Sequence, residues 1–189
     1  MKRFPANAVI ITEGDANDSL YIILSGRVKV YASNEAGKEV ILNTLGAGEY
    51  VGEVAFDGGL RSASVMTLEP TTCVVVTGAN LRDFVVEHPD FALHLVDVLI
   101  ARVRKLTENV KSLALEGVYG RVATLLRALS IEDGTGRVVT ERLTQQDIAE
   151  RVGSSREMVN RVFKELTSGG YIAVEAGRIR LLRPLPKAW

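Results

Sequence analysis

Residues 91–115 read FALHLVDVLIARVRKLTENVKSLAL, and within them Ala92, Val96, Leu99, Val103, Leu106, Val110 and Leu113 alternate at spacings of four and three. This is a heptad seam with valine at one core position and leucine at the other, the combination that favours two parallel strands. Arg102, Arg104, Lys105, Glu108, Asn109 and Lys111 cover the rest of the surface, as on a partly solvated helix. A single amphipathic helix packed on its own domain also carries an apolar stripe. The strict alternation over three heptads favours self-dimerisation through Val96, Leu99, Val103, Leu106, Val110 and Leu113.

What flanks this helix differs in kind on its two sides. From Ala8 to Thr77, short runs rich in Val, Ile, Tyr and Thr (Val9–Thr12, Leu20–Ser25, Val28–Ala32, Val40–Leu45, Ser64–Leu68, Cys73–Thr77) alternate with glycine-bearing turns. Many short strands at close intervals predict an antiparallel sandwich or barrel. Asn80 is placed to cap a short helix to Glu87, and His88-Pro89 breaks it. After Leu115, Glu116 and Gly117 form a hinge, followed by a helix from Val118 to about Ser130, a turn at 132–136 and an extended stretch over 137–143. Thr144-Gln-Gln-Asp147 opens a helix with a near capping box, and Gly153 stops it. A second helix starts at Ser154 or Ser155 and runs to about Ser168. Two short strands, 171–174 and 179–182, then form a hairpin. Helix, glycine turn, helix and hairpin make a winged helix-turn-helix.

The fold expected is therefore α+β: an N-terminal antiparallel β sandwich or barrel, a long dimerisation helix at about 90–116, and a C-terminal winged helix-turn-helix, with domains at 1–117 and 118–189. The chain of 189 residues is 24% charged and 47% hydrophobic, with zero formal net charge. That zero hides an asymmetry. Residues 118–189 hold 12 Lys+Arg against 8 Asp+Glu, and residues 1–117 hold 11 against 15. A half that is basic while the whole is neutral suits a local polyanion-binding face. The single cysteine, Cys73, excludes an internal disulfide, a cysteine-ligated metal site and an iron–sulfur cluster within one chain. No apolar run approaches a membrane span and no signal peptide precedes the first strand, so a cytoplasmic protein without membrane contact is expected.

Two constellations carry chemistry. Gly52-Glu53 followed by Arg61-Ser62-Ala63 can form an anion pocket from backbone amides, one arginine and a hydroxyl. Glu53 beside it would face a hydroxyl donor such as a ribose 2′-OH. Taken alone, an Arg and a Glu eight residues apart more often form a surface ion pair. On the second helix of the helix-turn-helix, Arg156, Glu157 and Arg161 can face one groove. Arginine matches guanine N7 and O6, and a carboxylate accepts from cytosine N4. Glu157 also completes a capping box with Ser154, which would occupy it with backbone. Thr144, Gln146, Ser155 and Lys164 suit phosphate contacts.

The run from Gly48 to Ser64, GEYVGEVAFDGGLRSAS, resembles the phosphate-binding cassette of cyclic-nucleotide-binding domains, and the region 9–24 resembles the opening strands of that jelly roll. TQQDIAERVGSSREMVNR, residues 144–161, resembles the helix-turn-helix of the catabolite activator (cyclic AMP receptor) and FNR regulators. The resemblance spans nearly the whole chain in the family's order. It implies a ligand-responsive transcription regulator, not an enzyme, that binds a palindromic operator as a homodimer, answers a cyclic nucleotide, with cyclic AMP expected, and works with RNA polymerase. Residue by residue, it implies that Arg61 and Ser62 hold the cyclic phosphate, that Gly52 contributes backbone and Glu53 takes the ribose hydroxyl, and that Arg102 and Thr107 face the nucleotide. Leu106 and Val51 depart from the family pattern, which puts the base in question, and Met158 and Asn160 depart in the recognition helix. The N-terminus is short against that pattern, so a further element ahead of Met1 is expected.

A cupin-type enzyme would need histidines inside the barrel, and His88 and His94 both follow the strands. The same fact leaves haem without an axial ligand. A kinase or channel module would share the cassette but not the helix-turn-helix. The remaining alternative is a regulator of the same family answering a different small molecule or none.

Overall fold

The computed structural model describes residues 1–53, 57–132, 137–175 and 177–186, and divides into two compact units, Met1–Leu106 and Thr107–Trp189. In the first unit, β1 (Lys2–Phe4), β2 (Val9–Ile11), β3 (Leu20–Ser25), β4 (Val28–Ser33), β5 (Glu39–Leu45), β6 (Tyr50–Val51), β7 (Ser64–Thr67) and β8 (Thr71–Val76) form two antiparallel four-stranded sheets. One runs β1-β8-β3-β6 and the other β2-β7-β4-β5. Ile23, Val51 and Cys73 of the first sheet meet Ile11, Val28, Leu45 and Val65 of the second in one buried cluster. This is the jelly-roll sandwich.

β3 explains why Leu20-Tyr21-Ile22-Ile23 is apolar throughout rather than alternating. Side chains alternate between faces of a strand. Tyr21 and Ile23 turn to the sandwich core, while Leu20 and Ile22 belong to a second cluster with Tyr50, Leu81, Phe91, Leu95 and Val98. That cluster seats α1 (Gly78–Glu87) and the start of α2 (Pro89–Leu115) on the outer face of the sheet.

The second unit contains α3 (Val118–Ala128), β9 (Ser130–Glu132), β10 (Arg137–Val139), α4 (Gln145–Val152), α5 (Arg156–Ser168), β11 (Ile172–Glu175) and β12 (Arg178–Leu181). Its sheet runs β11-β12-β10-β9, and Val122, Leu126, Ile148, Val159, Phe163, Leu166 and Ile179 are among its buried core. Among the described residues, no helix is long and apolar enough to cross a membrane.

Several local expectations are corrected. Thr77, not Asn80, caps α1: it sits in extended backbone and its side chain accepts from the Asn80 N–H. Ser155, not Ser154, caps α5 and accepts from the Met158 N–H. α3 ends at Ala128, because Ser130–Glu132 is drawn into antiparallel pairing with Arg137–Val139. Ser130 Oγ donates to the Arg127 carbonyl and accepts from Arg137 Nε, both at 3.0 Å, which favours that strand over another helical turn. β6 is two residues long and lies inside the cassette loop, too short for a periodicity to reveal. The turn expected at 132–136 lies outside the described residues beyond Glu132, as do residues 54–56 of the cassette.

Candidate functional site

A cavity of about 230 Å³ opens in the first unit where the cassette faces α2. Gly52, Glu53, Arg61, Ser62 and Arg102 all line it, so the structure brings together five of the six residues expected to hold a ligand. Thr107 begins the second unit. Leu99 and Val103, expected only as dimer seam, and Leu106, expected there and at the family's base-reading position, also line the cavity as apolar wall.

Arg61 is the organising side chain. It belongs to the cassette and is only 5% exposed. Nη1 donates to the Gly52 carbonyl at 2.7 Å, and Nη2 donates to the Ser19 carbonyl at 2.6 Å and to Asn17 Oδ1 at 3.1 Å. Burial pulls its pKa below the ordinary arginine value, an effect opposed by Tyr21, Asp18, Glu53 and Asp15 nearby. Gly52 is tied to this arrangement by its own backbone. Its φ is 98°, and a Cβ there would stand 2.7 Å from the Ser19 carbonyl oxygen and 2.8 Å from Arg61 Nη1. Only glycine meets both conditions.

Glu53 is buried beside Arg61 and forms an ion pair with Arg102 from α2, whose Nη2 also donates to the Tyr50 carbonyl. The guanidinium of Arg102 lies 5.4 Å from the Tyr50 ring centroid. Burial raises the Tyr50 phenol, and Arg102 opposes that shift. Among the described residues, two polar atoms of the side chains lining this cavity are buried without a partner: Glu53 Oε2, an acceptor, and Arg61 Nε, a donor. Leaving such groups unpaired costs about 1–3 kcal/mol each.

Asn17 and Ser19, which hold Arg61, lie more than 40 residues away in the chain, and no spacing rule reaches them. Asn43 and Lys105 also line the cavity, and nothing in the local sequence marks either as a ligand residue.

In the second unit, α4 opens with a full capping box: Thr144 Oγ1 accepts from the Asp147 N–H at 3.1 Å, and Asp147 Oδ2 accepts from the Thr144 N–H at 2.7 Å. Gly153 ends α4 in the left-handed region at φ 61°, turning the chain into α5. Arg121 holds that turn by donating from Nε to the Val152 carbonyl at 2.7 Å. α5 buries Val159, Val162, Phe163 and Leu166 and leaves Arg156, Glu157, Arg161 and Lys164 exposed on its other side. Glu157 is held below the ordinary carboxylate range by hydrogen bonds from its own N–H and the Ser155 hydroxyl, with Arg156 adding to them. Its carboxylate is thus engaged at the helix N-terminus. The Thr144 hydroxyl is likewise engaged with Asp147, and Gln146 Nε2 donates to Glu150 at 2.9 Å.

Residues 1–88 match the model of the cyclic nucleotide-binding domain, and residues 120–184 match that of the Crp-like helix-turn-helix domain. Over 177 residues the chain is 34% identical to the CRP-like cAMP-activated global transcriptional regulator of Mycobacterium tuberculosis, covering 91% of this chain and 79% of that protein. The chain belongs to the CRP/FNR family of transcription regulators. It is also 31% identical over 186 residues to the cAMP-activated global transcriptional regulator CRP of Salmonella typhimurium, covering 94% of this chain and 87% of that one. Among solved structures it resembles the c-di-GMP responsive global regulator CLP of Xanthomonas campestris, with a TM-score of 0.86, 25% identity and coverage of 96% and 93%. As a member of this family the protein is a DNA-binding transcription regulator and not an enzyme. α4 and α5 are the helix-turn-helix of that assignment, and the cavity lies where the nucleotide-binding cassette meets α2.

Proposed function

We propose that this regulator binds a purine nucleoside cyclic monophosphate in the α2 cavity and, as a homodimer, binds a palindromic operator in response. Arg61 and Ser62 take the cyclic phosphate, Gly52 supplies backbone, and Glu53, steered by Arg102, takes the ribose hydroxyl. Thr107 faces the nucleotide from α2. The observation that carries this reading is the pair of orphaned buried atoms, Glu53 Oε2 and Arg61 Nε, in one cavity. A cyclic nucleotide supplies both missing partners. The cAMP-activated regulators of Mycobacterium tuberculosis and Salmonella typhimurium favour cyclic AMP. The c-di-GMP responsive regulator of Xanthomonas campestris supports a second reading, a cyclic dinucleotide.

Dimerisation through α2 is supported by exposure. No residue of this 27-residue helix is fully buried, and Val96, Leu99, Val103, Leu106, Val110 and Leu113 are 40–64% exposed. An apolar stripe of that length is a surface waiting for a partner. The functional division then falls at 117/118, with the sensor and its helix before it and the reader after it. In the reader, Arg156 and Arg161 read bases with Glu157, while Thr144, Gln146, Ser155 and Lys164 contact phosphates. The regulator works in the cytoplasm, and RNA polymerase is the partner through which it acts on transcription.

Two measurements test this reading. Calorimetric titration with cyclic nucleotides should give one saturable site per chain, and absence of binding at millimolar concentration refutes the effector assignment. Arg156→Ala should weaken operator binding by roughly 1–3 kcal/mol and relax preference at one base position. Lys164→Ala should instead weaken binding to all sequences and lower the salt slope by about one.

A further inference from the structure

The polar groups of the cavity fall into two sets. Glu53, Arg61, Ser62 and Arg102 serve the phosphate and ribose in the reading above. Among the described residues, the other polar side chains lining it are Asn43 of β5 and Lys105 of α2. Asn43 pairs with Val30, and Val30 pairs with Val65. β5 thus lies two strand spacings, about 10 Å, from β7, the strand that Arg61 and Ser62 lead into. A nucleotide anchored by its phosphate at Arg61 carries its base on the far side of the ribose, toward that second set.

The chemistry of the second set is one-sided. Asn43 Oδ1 accepts from the Thr44 N–H at 3.0 Å and from Lys105 Nζ at 2.6 Å. A carbonyl oxygen has two lone pairs, and both are used. What remains is the Asn43 amide N–H₂ and the other N–H groups of Lys105, which are donors only. Guanine presents two acceptors, O6 and N7, on one edge. Adenine presents N7 beside an amino donor, which this pair cannot accept. Leu99, Val103 and Leu106 supply an apolar wall for the ring of either base.

We propose that Asn43 and Lys105 read the base of the bound nucleotide and select guanine over adenine. This inference rests on the reading of the cavity as a cyclic-nucleotide site and departs from it only in the base. Its mechanism is positional: Lys105 fixes the direction of the Asn43 amide and adds its own charge beside guanine O6.

Parallel calorimetric titrations with cyclic GMP, cyclic AMP and cyclic di-GMP test it. The wild-type protein should bind cyclic GMP about tenfold more tightly than cyclic AMP, the discrimination expected of one good donor–acceptor pair. Lys105→Met should abolish that preference by lowering cyclic GMP affinity more than cyclic AMP affinity. Asn43→Asp adds an unused acceptor and should shift the preference toward cyclic AMP, with Lys105 still paired to it. Equal or tighter binding of cyclic AMP by the wild type overturns the base assignment alone. So does a guanine preference that survives in Lys105→Met. Tight binding of cyclic di-GMP without binding of cyclic GMP would show that the donors receive a second phosphate, which also overturns it. Failure of all three nucleotides to bind overturns the effector reading and this inference with it.

Discussion

Replacing Val110 and Leu113 together with Asp is expected to convert the protein to a monomer at micromolar concentration and to weaken operator binding by orders of magnitude. Both side chains lie on the α2 seam, 64% and 48% exposed in the single chain, and neither lines the cavity. Leu106 would be a poorer choice, because it belongs to the seam and to the cavity wall at once. In a dimer, the two substitutions would bury four carboxylates at one interface, each costing several kcal/mol unless it protonates. A monomer presents one recognition helix where a two-fold dimer presents two to successive major grooves, about 34 Å apart. Sedimentation velocity gives the mass, and nucleotide titration of the same variant shows whether the cavity survives. A dimer that persists with both aspartates would place the interface elsewhere.

Arg61→Ala should have the largest effect on ligand binding, and it should also reach stability. The guanidinium bridges the Gly52 and Ser19 carbonyls and Asn17, so its loss strands those acceptors, besides the ligand phosphate proposed to sit there. The charge-assisted contact to phosphate accounts for roughly 1.5–3 kcal/mol, a ten- to hundredfold fall in affinity. Two stranded carbonyls add a destabilisation of about 2 kcal/mol or more, which lowers Tm by roughly 4–8 °C in a chain of this size. Arg61→Lys separates the two roles. It keeps a positive charge but cannot span three acceptors with one planar fork, so it should retain part of the affinity and recover little of the melting temperature. Nucleotide affinity unchanged in Arg61→Ala would remove the phosphate from this corner.

The larger elements were legible because their signals are local. β3 showed as a continuous apolar run, α2 as a heptad pattern bounded by His88-Pro89, and α4 through its capping box and terminal Gly153. The cassette could be recognised by its order of residues, and four of its expected ligand groups converge with Arg102 of α2 on one cavity. What was hidden depends on distant partners. That Arg61 is held by Ser19 and Asn17 follows from loops that the fold brings together across 42 and 44 residues of chain. The strand β9 exists because β10 pairs with it, against a local preference to continue α3. Lys105 reads in sequence as part of a solvated helix face, and only the fold places Asn43 of β5 at its tip. The apolar side chains Leu99 and Val103 satisfied one explanation, the seam, and so concealed the other, the cavity wall.

That double use gives the coupling its physical form. If the proposed dimer forms through α2, a nucleotide in the cavity would touch the same leucines and valine that meet the partner helix, and could so favour one packing of the two α2 helices. The ligand moves this equilibrium only by its differential affinity for the two packings, and linkage requires that DNA raise nucleotide affinity by the same factor. Thr107→Ala should lower this factor more than it lowers nucleotide affinity itself. The decisive measurement is the operator affinity of the wild-type protein with and without saturating cyclic nucleotide, at one fixed salt concentration. The account predicts a gain of at least fivefold on adding nucleotide, equivalent to about 1 kcal/mol of coupling. Equal operator affinity in the two titrations would contradict it and leave a constitutive DNA-binding protein.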